Sequence, residues 1–290
     1  MFDLHMHSTY SDGSDNVETL IDKVKKAGIK YFSITDHDTA LATREILSSD
    51  HLKNKIKNYG LTYVPGIEFT CLYKNKYKLH ILAYDYDPNL DDIKRFELQI
   101  KNLFKEKDRI RREGIQKLGY KFSTKSLQFL NSRENVRKLD VANCLVNDGY
   151  FDDVQVAIKE AINPVKVKGN FRLDAVDVVS SLSKKGVKMV WAHSIHGINE
   201  EPISFEEIEM ISSELKEFGL SGLECFYSLY NSEEIAKLVT ISQKLGFFIT
   251  SGSDFHGKNK YVQLAEISCD GTRDNKNLVI VDKIFKNVIK

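Results

Sequence analysis

Six of the eight histidines fall in short segments that mostly carry carboxylates as well. The segments are Asp3-Leu4-His5-Met6-His7, Ser11-Asp12-Gly13, Thr35-Asp36-His37-Asp38, Pro65-Gly66-Ile67-Glu68, Leu79-His80, Ala192-His193 and Ser253-Asp254-Phe255-His256. They supply nine candidate metal ligands: His5, His7, Asp12, His37, Glu68, His80, His193, Asp254 and His256. One ion needs fewer than nine, so two divalent ions are expected, and three fit as well. Mixed imidazole and carboxylate donors suit Mn, Fe or Zn better than Ca or Mg. A closed structural zinc site would use cysteine-rich ligands at short spacing, which this chain lacks. Three divalent ions beside Asp12, Glu68 and Asp254 would leave the site near +3, which favours an anionic substrate together with hydroxide. Phosphate meets that demand. The expected chemistry is phosphomonoester hydrolysis, in which a metal-bound hydroxide attacks phosphorus in line and the ions offset charge on the phosphoryl oxygens. Metal coordination lowers the pKa of bound water, so no separate general base is required.

Residues 5 to 256 meet only in a fold that gathers distant strand ends. Apolar runs at Phe2–His7, 31–35, 61–64, 78–84, 188–192, 222–226 and 247–251 read as strands. Helical periods lie between them, at 17–27, 41–58, 205–218 and 232–245. The alternation predicts parallel strands joined by helices, and about seven such units suggest a closed barrel. Strand periodicity puts Phe2, Leu4 and Met6 on one face, with Asp3, His5 and His7 on the other. The remaining candidates lie in or just after strands, where barrels of this class build their sites. The rhythm breaks in the middle, where helical sequence dominates. The fold class is therefore α/β: a barrel from 1–97 and 173–290, with a mostly helical insertion at 98–172 as a substrate cap.

Net charge is only +1, which excludes a uniformly basic nucleic-acid binder. Residues 100–140 nevertheless hold twelve Lys/Arg against five Asp/Glu. That asymmetry either steers an anionic ligand or is a solvated helix surface. Phe104, Tyr120, Phe122 and Phe129 in this region suit base stacking or an insertion core equally. Cys71, Cys144, Cys225 and Cys269 are widely spaced among apolar neighbours and read as free, buried thiols. With no membrane-length apolar stretch and no signal-like N-terminus, the expected setting is cytoplasmic, with no membrane partner.

These segments resemble the PHP (polymerase and histidinol phosphatase) superfamily. Phe2–Asp12 (FDLHMHSTYSD), Ile34–Thr39 (ITDHDT), Pro65–Glu68 (PGIE) and Ser251–Gly257 (SGSDFHG) carry the similarity. Val141–Tyr150 (VANCLVNDGY) resembles a segment of its small bacterial phosphoesterases, which include nucleoside 3′,5′-bisphosphate phosphatases and RNA 5′-end exonucleases. The resemblance implies a distorted (β/α)7 barrel with a trinuclear site. By position, His5, His7, Glu68 and Asp254 would hold one ion. Glu68, His80 and His193 would hold a second, and Asp12, His37 and His256 a third. The family's His-Pro and following arginine are replaced here by His193-Ser194-Ile195-His196-Gly197.

Several residues have two readings. His196 is a candidate acid for the leaving group, or a loop histidine without a role. Asp3, Asp36 and Asp38 either orient ligand imidazoles or cap helices and face solvent. Lys168, Arg172 and Lys258 are candidate phosphate contacts. Tyr227 is a candidate pocket residue or a core residue, and His51 reads as a surface histidine. The expected partner is a phosphorylated small molecule or nucleotide, with the 5′ end of RNA included. Alternatives are histidinol phosphate as substrate, or a metal-stabilised regulatory module without turnover. All nine family ligands are present, which favours catalysis.

Overall fold

The computed structural model describes residues 1–133, 136, 138–195, 202–269 and 284–290. The chain divides into two compact units, Met1–Phe96 with Leu173–Lys290, and Glu97–Arg172.

The first unit is built on two sheets. Strands β1 (Phe2–Asp3), β2 (Tyr31–Phe32) and β3 (Thr62–Tyr63) pair in parallel, in that order. The second sheet contains β4 (Gly66–Tyr73), β5 (Tyr77–Tyr84), β6 (Leu173–Asp174), β7 (Lys188–Ala192), β8 (Leu220–Tyr227) and β9 (Phe248–Gly252). Its order is β6-β4-β5-β7-β8-β9.

Backbone hydrogen bonds join the sheets. The Leu4 N–H donates to the Ser251 carbonyl at 3.0 Å, and Met6 bridges Phe255 just beyond β9. The Thr35 N–H donates to the Met6 carbonyl at 2.8 Å, and the Val64 N–H to Phe32 at 2.9 Å. The Asp38 N–H donates to Glu68 at 2.8 Å, beside a parallel bridge from His37 to Glu68. The circuit therefore runs β1, β2, β3 with β4, β5, β7, β8, β9 and back to β1. It is a distorted mixed ring of seven strand positions.

Three expectations change here. Gly66–Tyr73 is a strand that the hydrophobic pattern did not separate from the Pro65-Gly66 break. β5 is antiparallel to both β4 and β7, so one expected parallel unit is a hairpin. Lys74 and Asn75 both take positive φ in its turn, the geometry of a type I′ hairpin. Phe2 and Leu4 pack with Val64, Leu82, Tyr84, Val190 and Ala192, whereas Met6 packs with Val17, Leu20 and Ile34. Regular strand pairing ends at Asp3, and with it the simple two-face alternation.

Helices α1 (Val17–Lys26), α2 (Leu41–Ser48) and α3 (Asp50–Tyr59) follow the early strands. The expected single helix at 41–58 is two, because Ser49 is extended and its side chain caps α3 through the Leu52 N–H. α4 (Asp91–Lys117) is continuous from the first unit into the second. The second unit also holds α5 (Thr124–Ser132), α6 (Lys138–Asn147) and α7 (Val154–Ala157), the last continued by a π-helical turn, Ile158–Ile162. It has its own core, including Ile115, Leu130, Val141 and Leu145. Back in the first unit are α8 (Ala175–Ser183), α9 (Phe205–Lys216) and α10 (Ser232–Leu245). Ser204 and Asn231 open the last two with capping boxes.

Cys71, Cys144 and Cys225 are buried free thiols, but Cys269 is exposed. Its neighbours Ile267 and Ser268 are buried, but Cys269 itself lies at the surface, its N–H bonded to the Tyr230 carbonyl. Among the described residues no helix is long and apolar enough to cross a membrane.

Candidate metal centre

All nine candidate ligands meet in one cluster in the first unit, centred on Glu68. That carboxylate is fully buried in β4. Its Oε2 lies 3.2 Å from His5 Nε2, 3.1 Å from His7 Nε2 and 3.2 Å from His37 Nδ1. Its Oε1 lies 3.0 Å from His80 Nδ1 and 3.2 Å from His193 Nε2. Asp254 Oδ1 is 3.2 Å from His7 Nε2 and 3.5 Å from His5 Nε2. On the other side, Asp12 Oδ1 is 3.1 Å from His256 Nε2 and 3.7 Å from His7 Nδ1.

The donor atoms form three overlapping groups: His5, His7, Glu68 and Asp254; His37, Glu68 and His80; and His7, Asp12, His37 and His256. The first is the set implied for one ion. The second contains His37, with His193 adjoining through its contacts to Glu68 and His80. The third adds His7 to the implied set.

The donors fit divalent ions. An ion about 2.0–2.2 Å from tetrahedral nitrogen and oxygen ligands holds them roughly 3.3–3.6 Å apart, close to the spacings here. Five buried atoms, His5 Nε2, His7 Nε2, His37 Nδ1, Glu68 Oε2 and His256 Nε2, have no hydrogen-bond partner among the described residues. Buried polar atoms normally have partners, so five in one cluster mark a place for cations.

The electrostatics agree. Burial opposes charge on His5 and His7, but the carboxylates prevail. His5 is held well above the usual histidine range by Glu68, Glu224 and Asp254, and His7 rises to about 9 beside Asp254 and Glu68. Burial lowers His37 to about 3. Burial works against the ionised Glu68 and Asp254, yet the surrounding imidazoles keep both well below the carboxylate range. The surrounding carboxylates thus favour positive charge at His5 and His7, the charge a metal cation would supply there.

The strand order explains the placement. β5 runs against its neighbours, so His80 reaches the site from the first half of its strand, opposite Thr70 and Ala192. A parallel β5 would have needed its ligand at the far end. Three residues here take positive φ without being glycine: Asp38 (56°), His193 (30°) and Asp254 (58°). Such conformations cost on the order of 1–3 kcal/mol each and concentrate at functional sites. Each is held by a neighbour: the N–H groups of Asp38, His193 and Asp254 donate to Glu68 O, Glu224 Oε2 and His5 O.

Three aspartates beside the ligands have structural partners. Asp36 accepts from the Ser8 N–H (2.7 Å), Ser8 Oγ (2.6 Å) and Ser11 Oγ (2.6 Å), which fixes the loop carrying Asp12. Asp3 accepts from the Ser253 N–H and Oγ and the Ala265 N–H, which ties β1 to the Asp254 segment. Asp38 accepts from the Thr70 N–H at 2.8 Å, and burial raises its pKa to about 6.

The model for the PHP domain family matches residues 3–162, more than half the chain and six of the nine candidate ligands. The chain belongs to the PHP domain family. It is 24% identical to a phosphoribosyl 1,2-cyclic phosphate 1,2-diphosphodiesterase of Eggerthella lenta, over 88% of this chain and 94% of the relative. It is 23% identical to the 5′-3′ exoribonuclease Rnm of Salmonella typhimurium, over 91% of this chain and 88% of the relative. Its fold matches a structure described as an amidohydrolase from Chromobacterium violaceum, solved with bound sulfate and no metal. The TM-score is 0.69 at 20% identity, covering 90% of this chain and 89% of that one.

Other expected residues in this PHP chain have varied places. Tyr227 is buried, and its hydroxyl donates to Asp254 Oδ2 at 3.1 Å. The Lys258 side chain is exposed, and its backbone N–H donates to Ser14 Oγ. Lys168 (exposed) and Arg172 (half-buried) belong to the helical unit. His196 lies outside the described residues. His51 is exposed and bonded to Glu18.

Sequence reasoning missed Glu224 and Lys260. Lys260 Nζ sits 2.7 Å from Asp254 Oδ2, two residues beyond the lysine singled out from the sequence. Glu224 is fully buried in β8. Its Oε1 meets His5 Nδ1 at 3.0 Å, and its Oε2 accepts the His193 N–H at 2.9 Å. The available signal was a lone acid inside the apolar run Leu223-Glu224-Cys225-Phe226. A carboxylate behind an imidazole fixes its tautomer and raises its basicity. Glu224→Gln is expected to lower divalent-metal affinity about 10–100-fold while the fold persists, measured by metal titration beside circular dichroism. Unchanged affinity would reduce Glu224 to a packing role.

Proposed function

We propose that the chain is a metal-dependent phosphoesterase that hydrolyses a phosphomonoester of a nucleotide, a nucleoside 3′,5′-bisphosphate or an RNA 5′ end. The observation that carries this reading is the gathering of nine candidate imidazole and carboxylate ligands in one cluster, five of the imidazoles touching Glu68, with five buried donor atoms lacking hydrogen bonds. His5, His7, Glu68 and Asp254 would hold one ion, His80 and His193 would join Glu68 around a second, and Asp12, His37 and His256 a third. Bound divalent ions would polarise phosphoryl oxygens and lower the pKa of water.

The protein's own groups set the rest. Glu224 and Asp3 keep His5 and the Asp254 segment in place. Asp36 holds the Ser8–Ser11 loop. Lys260 adds a positive charge beside Asp254, suited to an anionic substrate. The substrate choice is supported by relatives whose names cover a ribosyl cyclic phosphate and RNA.

The test is phosphate release, with Mn added, from AMP, 3′,5′-bisphosphoadenosine, histidinol phosphate and a 5′-phosphorylated RNA oligomer. Release from the nucleotides or RNA is expected. Preference for histidinol phosphate would move the enzyme to amino-acid chemistry. No release from any of the four, with metal shown to be bound, would overturn the phosphomonoesterase reading. EDTA is expected to abolish activity and Mn to restore it better than Mg, because imidazole donors disfavour Mg. Equal rescue by Mg would contradict the ligand assignment.

A further inference from the structure

The helical unit carries features that the barrel site does not use. It holds sixteen Lys/Arg against ten Asp/Glu, so it is basic while the rest of the chain is acidic. Between α5 and α6 lies a cavity of about 750 Å³, inside the roughly 300–1,000 Å³ range of small-molecule sites. Lys121, Lys125, Phe129, Asn143, Asn147 and Tyr150 line it.

Each has an exposed functional group. Phe129 is 43% exposed and Tyr150 40% exposed, although both rings are large and apolar. Tyr150 is fixed in place: its hydroxyl accepts the Lys121 N–H at 3.0 Å, and the Tyr120 ring packs against it edge-on at 5.3 Å. Asn143 and Asn147 stand four residues apart on α6, so they share a face. No ion pair engages the Lys121 or Lys125 ammonium among the described residues. The one acid in the lining, Asp148, is occupied in capping α5, accepting from the Ser123 N–H and Ser126 Oγ.

We infer that this cavity is a binding site for a segment of single-stranded nucleic acid. The two exposed rings offer stacking platforms for bases, Phe129 with the Arg133 guanidinium 5.7 Å over its ring as a further cation at the site; the asparagine amides match base edges, and the lysines match phosphates. Rings and cations alternating along a groove are how sequence-tolerant single-strand sites are built. An acidic peptide would use the lysines but leave the rings and amides without a role.

The inference concerns binding and not turnover, so its test is separate from that of the barrel. The full-length protein is titrated into a single-stranded RNA oligomer that carries a 3′ fluorophore and no 5′ phosphate, and anisotropy is read. Saturable binding is expected. Phe129→Ala should weaken it by about fivefold or more, and Phe129→Tyr should preserve it, since stacking is worth about 1–3 kcal/mol per base. The double variant Lys121→Ala/Lys125→Ala should reduce the salt dependence, by about 0.7 in log–log slope per lysine. Hydrolysis of a small phosphomonoester should be unchanged in all three, and circular dichroism should show wild-type helix content, which reports that the helical unit folds. Three results would overturn the inference: no saturable binding by the wild type, wild-type affinity in both alanine variants, or heparin competing as well as unlabelled RNA while Phe129→Ala has no effect.

Discussion

Glu68→Gln is expected to lower phosphoester hydrolysis on the order of a thousandfold or more, with the fold retained. Five of the six ligand imidazoles contact this one carboxylate, three through Oε2 and two through Oε1. Glutamine keeps the volume but removes the charge and turns one oxygen into an N–H₂ donor. That donor would face imidazole nitrogens and metal cations where an acceptor is needed. Two of the three donor groups share Glu68, so the substitution impairs both. A metal ion's charge stabilisation is worth several kcal/mol, and each 1.36 kcal/mol is tenfold in rate, which gives the magnitude. The checks are kcat/KM, bound metal per chain by elemental analysis, and circular dichroism. Near-native turnover by a folded variant would remove Glu68 from the centre of the site. His7→Ala should also abolish turnover, because His7 likewise belongs to two donor groups, and so should Asp254→Ala, which disrupts one.

Gly252→Ala should be nearly as damaging, for a steric reason. Gly252 ends β9 where β1 passes. A Cβ built there would lie 2.2 Å from the Cβ of His5, 2.5 Å from Glu224 Oε1 and 3.0 Å from the His5 nitrogen. None of these is the end of a flexible side chain in open space. β1 must move away from β9, or the Glu224 carboxylate must leave His5. Overpacking of this kind costs about 1–3 kcal/mol in stability. Displacing a ligand by about 1 Å can cost on the order of a hundredfold in rate. The expected result is a lower melting temperature together with a hundredfold loss of activity and weaker metal binding. Thermal melting and kinetics on the same preparation check it. A variant with wild-type stability and rate would show that β1 and β9 have more room than the structure gives them.

The ligand segments were legible because their chemistry is local. Two histidines at i and i+2, or an aspartate and histidine at that spacing, stand out in any apolar strand. The helix caps were equally legible at Ser204 and Asn231, where a polar residue precedes a run with glutamate three positions on. What the pattern could not supply was strand direction. Alternating apolar residues look the same in parallel and antiparallel strands, so β5 was expected to run with its neighbours. Its reversal depends on a positive-φ turn at Lys74-Asn75, a weaker signal than the glycine that usually marks one. Glu224 was hidden for a related reason. A single acid in a buried strand has no meaning until its partners, 219 and 31 residues away in sequence, are known.

By itself, the sequence determined which side chains could serve as donors: six imidazoles and three carboxylates, and their hardness. Those follow from side-chain chemistry, which does not depend on neighbours. The tertiary structure decided how the donors are shared. It placed Glu68 between two sets of imidazoles and brought His7 and His37 into more than one group. It also put Glu224 behind His5 and held Asp38, His193 and Asp254 in strained backbone conformations. These are consequences of ring closure and of a reversed strand. Both are set by long-range hydrogen bonds and packing that no local stretch of the chain encodes.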